Sequence, residues 1–231
     1  MKAIVLCGGL ATRIKKKYNQ TPKFLIKIRN KPFAHYQLKY LKKNGIKEVI
    51  LCTSHLKEKI KKEIGNGSKF GLIIKYSDDG KELLGTGGAI KKALQLVDKY
   101  FLIVDGDTFF PFSLNKYKKL FKKRKHSSII VNKNLNLHLR HNISIANNGK
   151  IKGYRKKSGP GYDFMDCGIR FFKKEKILRK IKKKKFDLGY IYNLYIKQQK
   201  LHYLEIDKKV YEIGSFEGMK EFEKFLKNDH K

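Results

Sequence analysis

The chain has 231 residues, 41% of them hydrophobic and 32% charged, with 55 Lys and Arg against 20 Asp and Glu and a formal charge of +35. That length suits one large domain able to bury a real core, and no apolar run approaches the length that spans a bilayer. The basic excess raises a nucleic-acid or anionic-membrane partner, but it is mostly lysine scattered along helices (Lys57, Lys59, Lys61, Lys62, Lys91, Lys92). Arginine, the better phosphate fork, is scarce, so neither partner is expected.

The chain begins directly with strand-like residues (Ala3 to Cys7), so no signal or transit peptide is expected. Beyond a glycine-rich turn, Phe24 to Ile28 is a short apolar segment, and Pro32 stands where a helix takes its first residue. Phe33, Tyr36, Tyr40 and Leu41 recur at helical spacing until Gly45. Glu48 to Thr53 reads as a strand, Leu56 to Ile64 as a helix and Leu72 to Tyr76 as a strand. Ala89, Ile90, Ala93, Leu94 and Val97 mark another helix, and Tyr100 to Val104 a buried strand. Strand and helix in alternation predict an α/β fold with a doubly wound, mostly parallel sheet.

The second half is less regular. Lys116 to Lys125 reads as a basic helix, and Ser128 to Val131 and Ile143 to Ile145 as short strands. Asn147-Asn148-Gly149 turns into Lys150 to Tyr154, a hairpin signal. A glycine-rich loop (Ser158 to Gly161) precedes a strand over Met165 to Phe172. Helices near Lys174 to Ile181 and Asp187 to Gln198 lead to two short strands. A last helix, capped by Ser215, is expected to bury Phe216, Met219, Phe222 and Phe225. Cys7, Cys52 and Cys167 are odd in number and embedded in apolar stretches, so they read as reduced core residues of a cytoplasmic protein.

Four islands would meet at the carboxyl ends of the parallel strands, where open α/β sheets bind ligands. In Gly8-Gly9-Leu10-Ala11-Thr12-Arg13, glycines admit phosphates close to the backbone and Arg13 forks onto their oxygens. Neither the dinucleotide fingerprint nor the P-loop pattern is present, which steers away from NAD enzymes and P-loop kinases. In Pro22-Lys23 the proline holds the lysine toward that loop. Leu84-Gly85-Thr86-Gly87-Gly88-Ala89 opens a helix, its glycines arguing for close approach of a base or ribose, with a flexible connector as the alternative. Asp105-Gly106-Asp107 ends a buried strand with two carboxylates that suit Mg²⁺, and Glu212 could complete that site.

In order, these islands resemble the sugar-1-phosphate nucleotidyltransferases, small enzymes that make nucleoside diphosphate sugars, over nearly the whole chain. The LGTGGA stretch with a late YEIGS resembles most the short guanylyltransferases acting on mannose- or heptose-1-phosphate. The resemblance implies a Rossmann-like sheet of the GT-A-like type with a small additional β region. It implies one domain over 1–231, with residues 1–115 binding nucleotide and 116–231 binding sugar phosphate.

By the same resemblance Arg13, Lys23 and Asp107 would be catalytic: Arg13 holding pyrophosphate, Lys23 bridging the reacting phosphates and Asp107 binding Mg²⁺ with Glu212. Gly8, Gly9, Thr12, Gly85, Thr86, Gly87, Gly88 and Asp105 would line the nucleotide, and Lys156, Asp166 and Gly168 the sugar phosphate. Two positions depart from the family pattern, Ala11 for a usual glycine and Glu212 for a usual aspartate.

The chemistry so implied is in-line displacement between a nucleoside triphosphate, GTP favoured, and a sugar 1-phosphate, with Mg²⁺ and no general base. His35, His55, His141 and Cys7 have no role in it. Uridylyl, cytidylyl or thymidylyl transfer to another hexose phosphate is the alternative, and a non-catalytic nucleotide- or RNA-binding protein a more distant one.

Overall fold

The computed structural model describes residues 1–9, 18, 20–124, 126–133, 141–148, 150–156 and 160–228. The expectations placed on Leu10, Ala11, Thr12, Arg13, Lys125, Gly149, Ser158 and Gly159 lie outside the described residues.

The first half runs β1 (Lys2–Leu6), β2 (Lys27–Ile28), β3 (Lys31–Pro32), α1 (Phe33–Lys43), β4 (Glu48–Thr53), α2 (Lys57–Ile64), β5 (Ile73–Asp78), α3 (Gly85–Ala93) and β6 (Tyr100–Asp105). Then come β7 (Thr108–Phe109), α4 (Asn115–Arg124), β8 (Ser127–Asn132), β9 (Ile143–Ile145), β10 (Ile151–Tyr154) and β11 (Met165–Lys173). The chain continues through α5 (Lys176–Lys180), α6 (Leu188–Lys197), β12 (Leu201–Glu205), β13 (Tyr211–Glu212) and α7 (Phe216–Asn228).

Seven strands form the central sheet in the order β12-β8-β11-β6-β1-β4-β5. β5, β4, β1 and β6 are parallel, as the alternation predicted. β11 runs antiparallel to both its neighbours, and β12 lies parallel to β8. Strand residues alternate between two cores. Ala3, Val5, Val49, Leu51, Leu102 and Val104 meet Phe33, Leu38, Leu41 and Phe222 from α1 and α7. Ile4, Ile50, Phe101 and Ile103 meet Ile90, Ala93, Ile191 and Tyr192 from α3 and α6. With helices on both faces, near-continuous apolar strands are what a buried sheet requires. Three small two-stranded sheets (β9 with β10, β7 with β13, β2 with β3) supply the additional β structure.

Three local expectations need correcting. Pro32 precedes α1 instead of opening it: its ψ of 137° is extended, and it pairs with Lys27 in β3 before the helix begins at Phe33. Leu56 likewise lies outside its helix, in the left-handed region at φ 61°. Phe216 is 46% exposed, while Met219, Phe222 and Leu226 are buried and Phe225 is partly covered. Phe216 occupies the first turn beside the Ser215 cap, whose Oγ accepts from Gly218 N at 3.1 Å, so the buried stripe starts one turn later than its spacing implied.

Candidate active site

β6 ends at Asp105, and the turn that follows is clamped from three sides. Gly106 N donates to Leu6 O at 3.0 Å, and a Cβ on Gly106 would lie 2.7 Å from that oxygen, so only glycine lets the turn press on β1. The buried Gln37 of α1 donates from Nε2 to both Asp105 O (2.9 Å) and Thr108 O (2.5 Å). Ile213 N donates to Asp107 O at 2.9 Å, and β13 pairs Glu212 opposite Thr108. Asp107, in the turn just before β7, and Glu212, on β13, are thereby fixed close together although far apart in sequence. The Asp107 carboxylate accepts from Lys23 Nζ at 2.9 Å, with both side chains about four-fifths covered (18% and 20% exposed).

Two hollows open at this point. The smaller, of about 470 Å³, has apolar and backbone walls from Leu6, Cys7, Gly8, Gly9, Cys52 and Ala89, with Asp79 among them. The larger, of about 650 Å³, is more polar, taking in Asn142, Tyr154, Arg155, Asp166, Gly168 and Glu212. Lys23, Thr86, Asp105, Asp107, Lys156 and Asp187 line both. The strip between the hollows therefore carries two lysines and three carboxylates. Lys23 is paired there with Asp107 and Lys156 with Asp187, so the strip offers cations to an anion only where a ligand or a metal ion takes over the carboxylates.

The floor of the larger hollow is an ion network. Because β11 is antiparallel to β6, its first residues sit at the carboxyl end of the parallel strands, with Ile169 opposite Val104. The pairing of β11 with β8 shifts between Asp166 and Arg170, and Gly168 there adopts φ +74°, which carries a steep penalty for any side chain. A Cβ on Gly168 would also lie 2.7 Å from Thr108 Oγ1. The buried Arg170 guanidinium donates to both oxygens of Asp105 (2.7 and 2.9 Å) and to Asp166 Oδ2 (2.9 Å). Tyr192 of α6 donates its hydroxyl to Asp166 Oδ2 at 2.6 Å. Burial alone would lower the Arg170 pKa, but Asp105 and Asp166 outweigh it and hold it well above its usual value.

Gly8 and Gly9 line the smaller hollow, with Ser54 Oγ donating to Gly8 O at 2.6 Å. Gly85 lines it as well, and Thr86 stands at its junction with the larger one. Gly87 and Gly88 instead face the segment before α6. Both their N–H groups donate to Phe186 O (2.9 and 3.1 Å), and a Cβ on Gly87 would meet the Phe186 ring at 2.4 Å. Their close approach is therefore to this chain's own backbone. Thr86 Oγ1 completes that seam by accepting from Leu188 N at 2.8 Å.

Lys23, Asp105, Asp107, Lys156, Asp166, Gly168 and Glu212 are thus gathered around the larger hollow, with Asp105 and Asp166 committed to Arg170. Lys156 bonds Asp187 Oδ2 at 2.9 Å, both side chains well exposed (74% and 60%). The three cysteines are free and buried, and burial pushes the Cys7 thiol far up. Sequence reasoning missed Arg170, Gln37 and Asp187. A lone arginine in the apolar run Cys167 to Phe172 was a usable signal for a buried counter-ion. Nothing local distinguished Gln37 or Asp187.

A family model described as nucleotidyl transferase matches residues 2–228. The chain belongs to that family. Among curated proteins, a D-glycero-alpha-D-manno-heptose 1-phosphate guanylyltransferase of Campylobacter jejuni is 49% identical over 118 residues, 51% of this chain and 52% of that protein. The enzyme of the same name from Aneurinibacillus thermoaerophilus is 44% identical over 117 residues, 50% of each. The matched stretch of this nucleotidyl transferase chain thus spans about half the length of these curated relatives. Among solved structures, HddC from Yersinia pseudotuberculosis superposes with a TM-score of 0.82 at 22% identity, covering 97% of this chain and 99% of its own. That likeness is one of fold.

Proposed function

We propose that this chain is a sugar-1-phosphate nucleotidyltransferase that makes a nucleoside diphosphate sugar and pyrophosphate, with GTP and heptose- or mannose-1-phosphate as its substrates. The observation that carries it is the pair of hollows meeting across Lys23, Asp107 and Lys156. Nucleotidyl transfer needs one seat for each anionic reactant, with the reacting phosphates adjacent and screened. The names of the Campylobacter and Aneurinibacillus relatives support guanylyl transfer to a heptose 1-phosphate.

On this reading residues 1–115 seat the nucleotide, with Gly8, Gly9 and Gly85 along it, and 116–231 the sugar phosphate, near Lys156, Asp166 and Gly168. A phosphate oxygen of the sugar 1-phosphate attacks the α-phosphorus; as that bond forms, the bond to the β-phosphate breaks and pyrophosphate leaves. The attacking oxygen is already ionised, so no protein base is required. Lys23 screens the two phosphates from each other, and Arg13 takes the departing pyrophosphate.

Asp107 and Glu212 are the residues that would hold Mg²⁺. Among the described residues no group of three or more His, Cys, Asp or Glu side chains could hold a metal. Two carboxylates completed by substrate phosphates are nevertheless a donor set that Mg²⁺ accepts. When bound, the ion would neutralise charge on the reacting phosphates. No helix among the described residues is long and apolar enough to cross a membrane, and a cytoplasmic location fits the three free thiols.

Incubating the protein with Mg²⁺, each nucleoside triphosphate and a panel of sugar 1-phosphates, while following pyrophosphate, tests the assignment. GTP with heptose- or mannose-1-phosphate should release it fastest. Silence from every pairing would refute nucleotidyl transfer.

A further inference from the structure

We infer that Asp79 selects guanine, its carboxylate accepting the two adjacent N–H donors on the base's pairing edge. The inference rests on the nucleotidyl-transfer reading above and adds a base-specificity residue to it.

Asp79 follows the last residue of β5, and its N–H donates to Thr53 O at the end of β4, at 2.9 Å. It lines the smaller hollow, whose other end is formed by Lys23, Asp105 and Asp107. The intervening strand order is β6-β1-β4-β5. Three strand spacings, roughly 14 Å, therefore separate the phosphate end from Asp79, the scale of a nucleotide from its phosphates to the far edge of its base. Between them lie Leu6, Cys7, Cys52 and Ala89, apolar walls suited to a flat ring.

One carboxylate oxygen, Oδ2, accepts from Leu84 N at 3.0 Å, which fixes the side chain. Oδ1 has no protein partner among the described residues. Burial raises the Asp79 pKa above the usual carboxylate range, against the pull of the Leu84 N–H. Further donors would offset that desolvation.

The bases differ in what they can offer. Guanine presents N1–H beside the 2-amino group, two donors side by side. Uracil and thymine offer one N–H flanked by two carbonyl oxygens, which a carboxylate repels. Cytosine and adenine offer an amino group beside a bare ring nitrogen. A carboxylate at this edge thus accepts guanine and penalises the other four.

Equilibrium binding of GTP, ITP, UTP, CTP and ATP to the intact protein tests this, with pyrophosphate release measured in parallel. ITP keeps N1–H and lacks the 2-amino group, so it probes the contact without any substitution. GTP should bind about 10- to 100-fold more tightly than ITP, the scale of one hydrogen bond to a charged group. Asp79→Asn should lose GTP affinity by at least that factor while UTP binds as well as before or better. Equal binding of GTP and ITP, or a GTP preference intact in Asp79→Asn, would overturn the assignment. If UTP and GTP support pyrophosphate release equally, the base assignment falls and nucleotidyl transfer stands. If no triphosphate binds, both fall.

Discussion

β6 has a parallel neighbour on one side and an antiparallel neighbour on the other, and the site is built differently on each. Toward β1, β4 and β5, its groups come from loops leaving strand ends: Gly8 and Gly9 after β1, Asp79 after β5 and Asp107 after β6. Toward β11, they come from the strand itself, because Asp166, Gly168 and Arg170 enter the sheet at the edge where the parallel strands finish. The first arrangement leaves backbone amides and short motifs open to a ligand. The second puts a buried ion network under the larger hollow, so the side chains that line it also hold the sheet together.

The contrast can be broken most sharply at Arg170. Replacing Arg170 with Met strands Asp105 and Asp166 without their cation, and urea denaturation should show a loss of about 3–5 kcal/mol. Adding Asp105→Asn and Asp166→Asn to that variant should restore most of it; a neutral single substitution would mean that the network is no support. On the loop side Asp107 is the counterpart. Asp107→Asn should cut pyrophosphate release by about 10²- to 10³-fold, with an unfolding midpoint shifted only as a part-exposed ion pair would shift it.

Smaller effects sharpen the seam between the halves. Gly87→Ala would drive a methyl group into the Phe186 ring, and thermal unfolding should register about 1–3 kcal/mol of destabilisation. An unchanged melting temperature would show that the 184–188 segment yields freely. Smallest of all, Phe216→Ser should alter stability by no more than about 0.5 kcal/mol, since its ring is nearly half exposed. A larger loss would place that ring in the core after all.

The loop side was legible because its motifs are contiguous. An apolar strand ending in Gly8-Gly9, or in Asp105-Gly106-Asp107, marks a strand terminus and the residues that line the hollow there. The strand side was not. Asp105, the Asp166 and Arg170 pair of β11, and Tyr192 make one network from three separate parts of the sequence, and no spacing rule joins those parts. Gly87 and Gly88 look like ligand glycines in sequence, yet their amides are taken by Phe186 O, a partner 99 and 98 positions away. Phe216 keeps the helical period of the buried stripe, but period alone does not say where along a helix the core begins.

By itself, the amino-acid order settled the alternation of strands and helices, the parallel run of the first half and the strand ends at which glycines and acids gather. Apolar periodicity and turn chemistry act over a few residues, which is why they can be read in one dimension. Only the tertiary structure decided the reversed direction of β11, the joining of two hollows across Lys23 and Asp107, and the counter-ion shared by Asp105 and Asp166. Those depend on which distant segments exclude water together, and burial of that kind is set by the folded sheet as a whole.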